Sequence, residues 1–247
     1  MFSGIEMTTA SAARIWESLS VFSGNLSGQS VPGYRADSVY PRQSEATQTA
    51  GGGEKVPSFA LTSASNFTSG LVKPTGRQLD VAVDGPGWLV VRDASGGEGL
   101  TRNGLLSLNA EGEVMAAGGT HVMSEAGPLV LPAYTQLTIG SDGVVSVVPA
   151  GSWEVETVGR LRLANPPTED LVRGSDGLFR LADGSAPTQD PDVQLVSGAL
   201  EESNVDLIAE YLNVIDTGKT MELHVRMLSA FDKMADRGNG LLRLTPG

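Results

Sequence analysis

Hydrophobic positions near the start of the chain recur at steps of three and four. Ala12, Ile15, Leu19, Phe22 and Leu26 form one such line, which on an α-helix makes a single apolar stripe. Thr8, Thr9, Ser11, Ser18, Ser20 and Ser23 lie around it, and Gly28, Pro32 and Gly33 end the pattern. The spacing predicts a helix over residues 3–27. Residues 32–78 lose all periodicity and carry Gly51-Gly52-Gly53 among many Ser and Thr. The stretch from Ser38 to Pro57 reads as a loop. From Leu79 to Leu200 the period becomes two. Leu79, Val81 and Val83 alternate with Asp80 and Ala82, and Trp88-Leu89-Val90-Val91, Val144–Val148, Arg160–Leu163 and Leu178–Leu181 are further strand candidates. Turn pairs separate them: Asp84-Gly85, Asn103-Gly104, Glu111-Gly112, Gly118-Gly119, Asp142-Gly143, Asp176-Gly177 and Asp183-Gly184. Asn103-Gly104 predicts a tight hairpin with positive φ at both turn residues. Short strands at this spacing make a barrel or sandwich.

The tail returns to helical spacing. Val205, Ile208, Leu212, Ile215, Gly218, Met221, Val225 and Leu228 form a second line. Ser203 or Asn204 is the expected N-cap and Gly238 the expected stop. A helix over 204–236 would be about 50 Å long. Its narrow stripe needs a partner, and the head helix is the obvious one. The predicted fold is therefore mainly β with terminal α-helices (α+β). The N- and C-terminal helices pair as a coiled-coil-like α-helical domain, with an all-β domain inserted between them. Residues 1–30 and 201–247 would be the two helices of a discontinuous assembly domain, 31–78 a Pro/Gly/Ser-rich connector, and 79–200 the β domain. The thirteen residues of the two lines are the expected assembly interface. One helix pair buries one seam only, so stability would come from packing on copies or relatives.

Composition narrows the function. The chain has 247 residues and no cysteine, which excludes disulfides and thiolate metal sites. Its formal net charge is −12, and no Lys or Arg occurs from Asn103 to Gly159, so no nucleic-acid partner is expected. No apolar run approaches a membrane span and no membrane insertion is expected. Residues 1–30 lack the basic-then-apolar order of a cleaved secretory signal, which leaves either a cytoplasmic protein or export by another route. The 31 glycines are accounted for by turns.

Motifs for chemistry are weak throughout. His121 and His224 have no ligand-like neighbours in sequence. Gly218-Lys219-Thr220 ends like a phosphate loop but lacks its first glycine, which would stand where Asn213 does. Glu201 and Glu202 are adjacent and do not oppose one another. The Asp-Gly pairs do not follow a calcium-loop pattern. No catalytic, cofactor or metal residue is assigned, and the chain reads as a non-enzyme without cofactor. Two rivals remain: a secreted carbohydrate-binding β module using Trp88 or Trp153, with oligomerising helices, and a carboxylate-based hydrolase.

Four runs resemble the flagellar axial proteins of rod and hook. Asn25-Leu26 with Gly33-Tyr34-Arg35 is similar to the family's N-N-[IL]-A-N-x-x-T-x-G-[FY]-[KR], departing from it at Gly24, Ser27, Gly28 and Pro32. Leu79-Asp80-Val81-Ala82-Val83-Asp84-Gly85-Pro86-Gly87-Trp88 and Thr101-Arg102-Asn103-Gly104 resemble two family segments of the β domain. Ser197-Gly198-Ala199-Leu200-Glu201-Glu202-Ser203-Asn204-Val205-Asp206 resembles the G-x-L-E-x-S-N-V-[ND] run that leads into its C-terminal helix. The length disfavours the hook member. Val158–Pro166 and Arg173–Arg180 favour the proximal-rod members over the distal one. The resemblance implies a structural subunit whose terminal helices assemble in an inner tube. It also implies export by the flagellar type III apparatus without a cleaved signal. The implied partners are other rod subunits, proximal and distal, in an oligomeric rod that carries torque across the periplasm.

Overall fold

The computed structural model describes residues 2–44 and 58–243, so residues 45–57 of the expected loop lie outside the described residues. The Cα arrangement resolves two compact units. One comprises Met1–Ser27, Asp37–Asn66 and Val205–Gly247, and the other Gly28–Ala36 and Phe67–Asn204.

The first unit holds both helices, α1 (Phe2–Gly28) up to its last residue and α2 (Leu207–Arg243). It also holds an antiparallel pair, Asp37–Ser44 with Ser58–Ser65, in the register Asp37↔Ser65 to Ser44↔Ser58. Residues 38–44 are therefore strand rather than loop. Helix α2 begins later than expected. Its cap is Asp206, whose Oδ1 accepts from Ile208 N at 3.0 Å and Ala209 N at 3.1 Å. It also runs through Gly238 instead of stopping there.

The expected fold class is corrected here. The chain is mainly β with two terminal helices, but a coiled-coil-like helix pair around a separately inserted β domain is not what it forms. Two strands belong with the helices, and residues 28–36 belong with the β strands. The line expected to seal α2 is open: Ile208 is 73%, Leu212 61% and Ile215 52% exposed. The physical reason is the helical period. From Val205 to Leu228 the expected line takes seven steps averaging about 3.3 residues, so it winds around a helix of 3.6 residues per turn. The half-buried stripe is Glu210, Val214, Thr217, Met221, His224 and Leu228, which keeps the 3.6 period.

The second unit is antiparallel throughout. Its largest sheet places Trp88–Arg92 between Glu98–Thr101 and Thr120–Ser124, extends through Phe179–Leu181 to Leu171–Arg173 on one side, and through Val114–Ala116 to Ser107–Leu108 on the other. Tyr134–Ile139, Val144–Pro149 and Glu156–Arg160 form a three-stranded sheet. Gln194–Ser197 pairs with Val81–Asp84, and Ala199–Glu201 with Val72–Pro74. Alternation gives the central strand two buried faces. Leu89 and Val91 join one apolar cluster with Val83, Leu137, Val145 and Leu195, while Trp88 and Val90 join another with Leu100, Met123 and Phe179.

Asn103-Gly104 is not the expected hairpin. No non-glycine residue among those described has positive φ, and neither does Gly104. Glycine is required at 104 by proximity instead: a Cβ there would stand 1.6 Å from the Val81 carbonyl oxygen. Asp142-Gly143 does turn as expected, with Gly143 at φ +83° and its N–H on Gly140 O at 3.0 Å.

The loop after Trp88–Arg92 carries an acid-sensitive tie. The Asp93 carboxylate accepts from Ser95 Oγ at 2.6 Å, from Gly97 N at 2.9 Å and from Arg180 Nη2 at 2.7 Å. These contacts, the serine hydroxyl foremost, hold its pKa at about 2, below the usual 3.8. The depressed value means that its stabilisation is complete above 3.8 and disappears as pH falls through about 2. Asp93→Asn is expected to flatten the acid limb of a urea-midpoint profile in that window. An unchanged profile would remove Asp93 from the account.

Candidate functional site

The sequence offers no catalytic constellation, and the side chains that sequence reading singled out for chemistry are dispersed. His121 Nδ1 lies 3.5 Å from Glu113 Oε2 on a sheet, and His224 is on α2. Among the described residues no group of three or more His, Asp or Glu is placed to hold a metal. No helix among them is long and apolar enough to cross a membrane. Trp88 is 3% exposed, with Phe67 and Phe179 centroids 5.9 and 4.9 Å away, so its face is not offered to a sugar. Trp153 is 97% exposed, on the turn between Val144–Pro149 and Glu156–Arg160. Of the expected assembly residues, Ala12, Ile15, Leu19, Phe22 and Leu26 are half-buried on α1, as are Val205 ahead of α2 and Met221 and Leu228 on it. Ile208, Leu212, Ile215, Gly218 and Val225 are exposed.

The concentrated polar feature is a buried clasp in the β unit. It joins four segments distant in sequence: residues 33–36, residues 68–72, the stretch around Arg102, and residues 199–204. Glu201 is its centre. The residue is 1% exposed, as is Arg35, and Arg102 is 5% exposed. Arg35 Nη1 lies 2.7 Å from Glu201 Oε1, as an ion contact rather than an aligned hydrogen bond. Arg102 Nη1 donates to Glu201 Oε2 at 3.0 Å. Gly70 N donates to Glu201 Oε1 at 2.8 Å, and Gly33 N to the Glu201 carbonyl at 2.7 Å. Arg102 continues into the strands, donating to Val83 O at 3.2 Å and Gly85 O at 2.5 Å, over the Trp88 ring at 5.5 Å. Burial pushes the Arg102 guanidinium below its ordinary pKa. Glu201 opposes that shift, and Arg35 adds to it.

Around this centre the chain is close-set. Gly33 has φ +68°, and a Cβ on it would meet the Arg102 carbonyl at 2.3 Å. A Cβ on Gly70 would stand 1.9 Å from the Glu202 carbonyl oxygen. Both positions therefore demand glycine. Asn204, with Ser203 one of the two residues expected to cap α2, does not do so. Instead its Oδ1 accepts from Ala36 N at 2.6 Å, and its Nδ2 donates to Thr68 O at 2.9 Å. Arg173 donates to the Arg35 carbonyl oxygen and stacks on Tyr34 at 4.8 Å and Phe179 at 4.9 Å.

The helical unit has its own polar tie. Asn25 is fully buried. Its amide pairs both ways with the Asp37 backbone, Nδ2 to O and N to Oδ1, each at 2.8 Å. Nδ2 also reaches Glu210 Oε1 at 2.8 Å, tying α1 to α2. Arg35, Arg102, Glu201, Asn204 and Asn25 all fall inside the runs that carried the family resemblance, but spacing alone gave no role to any of them except Asn204, read as a possible helix cap. The available signal was a charged or amide residue interrupting apolar surroundings, as in Tyr34-Arg35 and Leu200-Glu201.

Comparison with known proteins places these features in one family. Residues 82–147 match the flagellar hook protein FlgE/F/G D1 domain, and residues 196–241 match the flagellar basal body rod FlgEFG protein C-terminal region. The chain is 34% identical to the flagellar basal-body rod protein FlgF of Escherichia coli (strain K12), over 91% of this chain and 92% of that one. It is 33% identical to FlgF of Salmonella typhimurium (strain LT2), over the same shares. It is also 26% identical to the flagellar basal-body rod protein FlgG of Buchnera aphidicola subsp. Schizaphis graminum, over 69% of this chain and 68% of that one. The chain therefore belongs to the flagellar basal-body rod protein family, and within it resembles FlgF over nearly its whole length.

Proposed function

We propose that this chain is a non-enzymatic subunit of the proximal rod of the flagellar basal body, as FlgF rather than FlgG, self-assembling through its terminal helices. Residues 1–27, 37–66 and 205–247 act as the assembly unit, and residues 28–36 and 67–204 as the β unit it carries. The observation that carries this reading is the apolar line left open on α2, where Ile208, Leu212 and Ile215 are each more than half exposed. A helix of 37 residues with such a face gains further stability by covering it. Other rod subunits, including the distal FlgG type, are the partners that cover it. The chain reaches the periplasm through the flagellar type III export apparatus without a cleaved signal, and in the rod it transmits torque. The test is the composition of hook–basal bodies purified from the cells that make it. Peptides of this chain are expected at a few copies per particle. Their absence from particles that retain the other rod proteins would reject the reading.

A further inference from the structure

The clasp draws on the two sequence extremes of the β unit. Glu201 meets Gly70 across 131 residues and Arg102 across 99, so its contacts are among the most non-local in the fold. Among the described residues, the carboxylate within ion-pair distance of Arg35 and of Arg102 is that of Glu201. Before it arrives, two guanidiniums must enter one interior without a counter-charge. The segment brings backbone pairing as well. Ala199–Glu201 completes Val72–Pro74, Gly198 N donates to Asp80 O at 2.8 Å, and Glu202 N to Leu71 O at 2.8 Å. It also continues directly from Gln194–Ser197, whose Leu195 covers the larger apolar cluster.

We propose that Ala199–Asn204 is the closing element of the β unit, so that the strands from Val81 to Ser197 hold native packing only once this segment has docked. A chain made from its N-terminus contains nearly every strand of the unit before it contains the carboxylate that lets them close. The β unit is thereby kept open until synthesis is almost finished. This inference rests on the clasp alone and stands whether or not the chain is a rod subunit.

Two measurements test it on the intact protein and on its nascent form. In hydrogen exchange of the full chain, the clasp amides of Gly33, Gly70 and Glu202 are expected to be as protected as those of Val90, Val91 and Val147, because they open in one event. Core amides outlasting clasp amides by more than about a hundredfold would show that the core stays shut without the closing element, and would overturn the inference. In ribosome-arrested chains of increasing length, a protease-resistant β unit is expected only once Asn204 has left the exit tunnel. Resistance in chains with Leu195 outside and Ala199 still inside would overturn it.

Discussion

Glu201→Ala is expected to lose about 3–5 kcal/mol, the usual cost of breaking a buried ion cluster from one side. The loss is of the same order as the whole stability of a domain, about 5–15 kcal/mol. The variant leaves Arg35 and Arg102 buried with no carboxylate between them, and it frees Gly70 N from its acceptor. The loss belongs to the uncompensated charges and does not measure how much the cluster adds to the folded state. Replacing the whole cluster by apolar residues of similar size, R35M/R102M/E201L, is therefore expected to recover most of the stability, because desolvation and attraction nearly cancel in such clusters. Urea unfolding followed by tryptophan emission, to which buried Trp88 contributes, separates the two variants. Equal losses in the single and triple variants would show that hydrogen bonding and close fit, rather than charge compensation, hold the clasp.

Leu212→Asp is expected to act at the other end of the account. Leu212 is 61% exposed, so the isolated protein should change by less than about 0.5 kcal/mol. In a packed seam the same carboxylate would be stripped of water at every subunit contact, at a cost of several kcal/mol each. The expected outcome is a stable soluble protein that fails to enter the basal body, in cells that do not swim. Normal swimming with normal incorporation would exclude this face of α2 from assembly. A variant with a melted β unit would trace the defect to folding instead, and the unfolding midpoint of the purified protein distinguishes the two.

Several features were legible in the sequence because they are local. The head helix follows from five apolar residues at helical steps, and it forms from Phe2 to Gly28. The hairpin turn at Asp142-Gly143 follows from the need for positive φ at the glycine, which Gly143 adopts. The family was readable because Ser197–Asp206 is a contiguous run. What was not legible is non-local. Nothing in the spacing of Arg35, Arg102 and Glu201 says that they meet, since the contacts depend on how three distant segments cross. Asn103-Gly104 has the composition of a hairpin turn, yet its glycine is set by the Val81 carbonyl beside it. The half-buried stripe on α2 differs from the expected line because steps of three at Ile215, Gly218 and Met221 carry that line off the 3.6-residue period. Asn204 looked like a helix cap, and its amide is instead occupied by Ala36 and Thr68.

The most direct measurement uses the absence of cysteine from the chain. A single thiol placed by Leu212→Cys can be titrated with a maleimide both in the purified protein and in intact hook–basal bodies, with Trp153→Cys labelled in parallel. The account predicts rapid labelling of residue 212 in the free protein and strong protection in the assembled particle. Equal labelling of residue 212 in both states, in particles shown to contain the chain, would contradict assembly through the open face of α2.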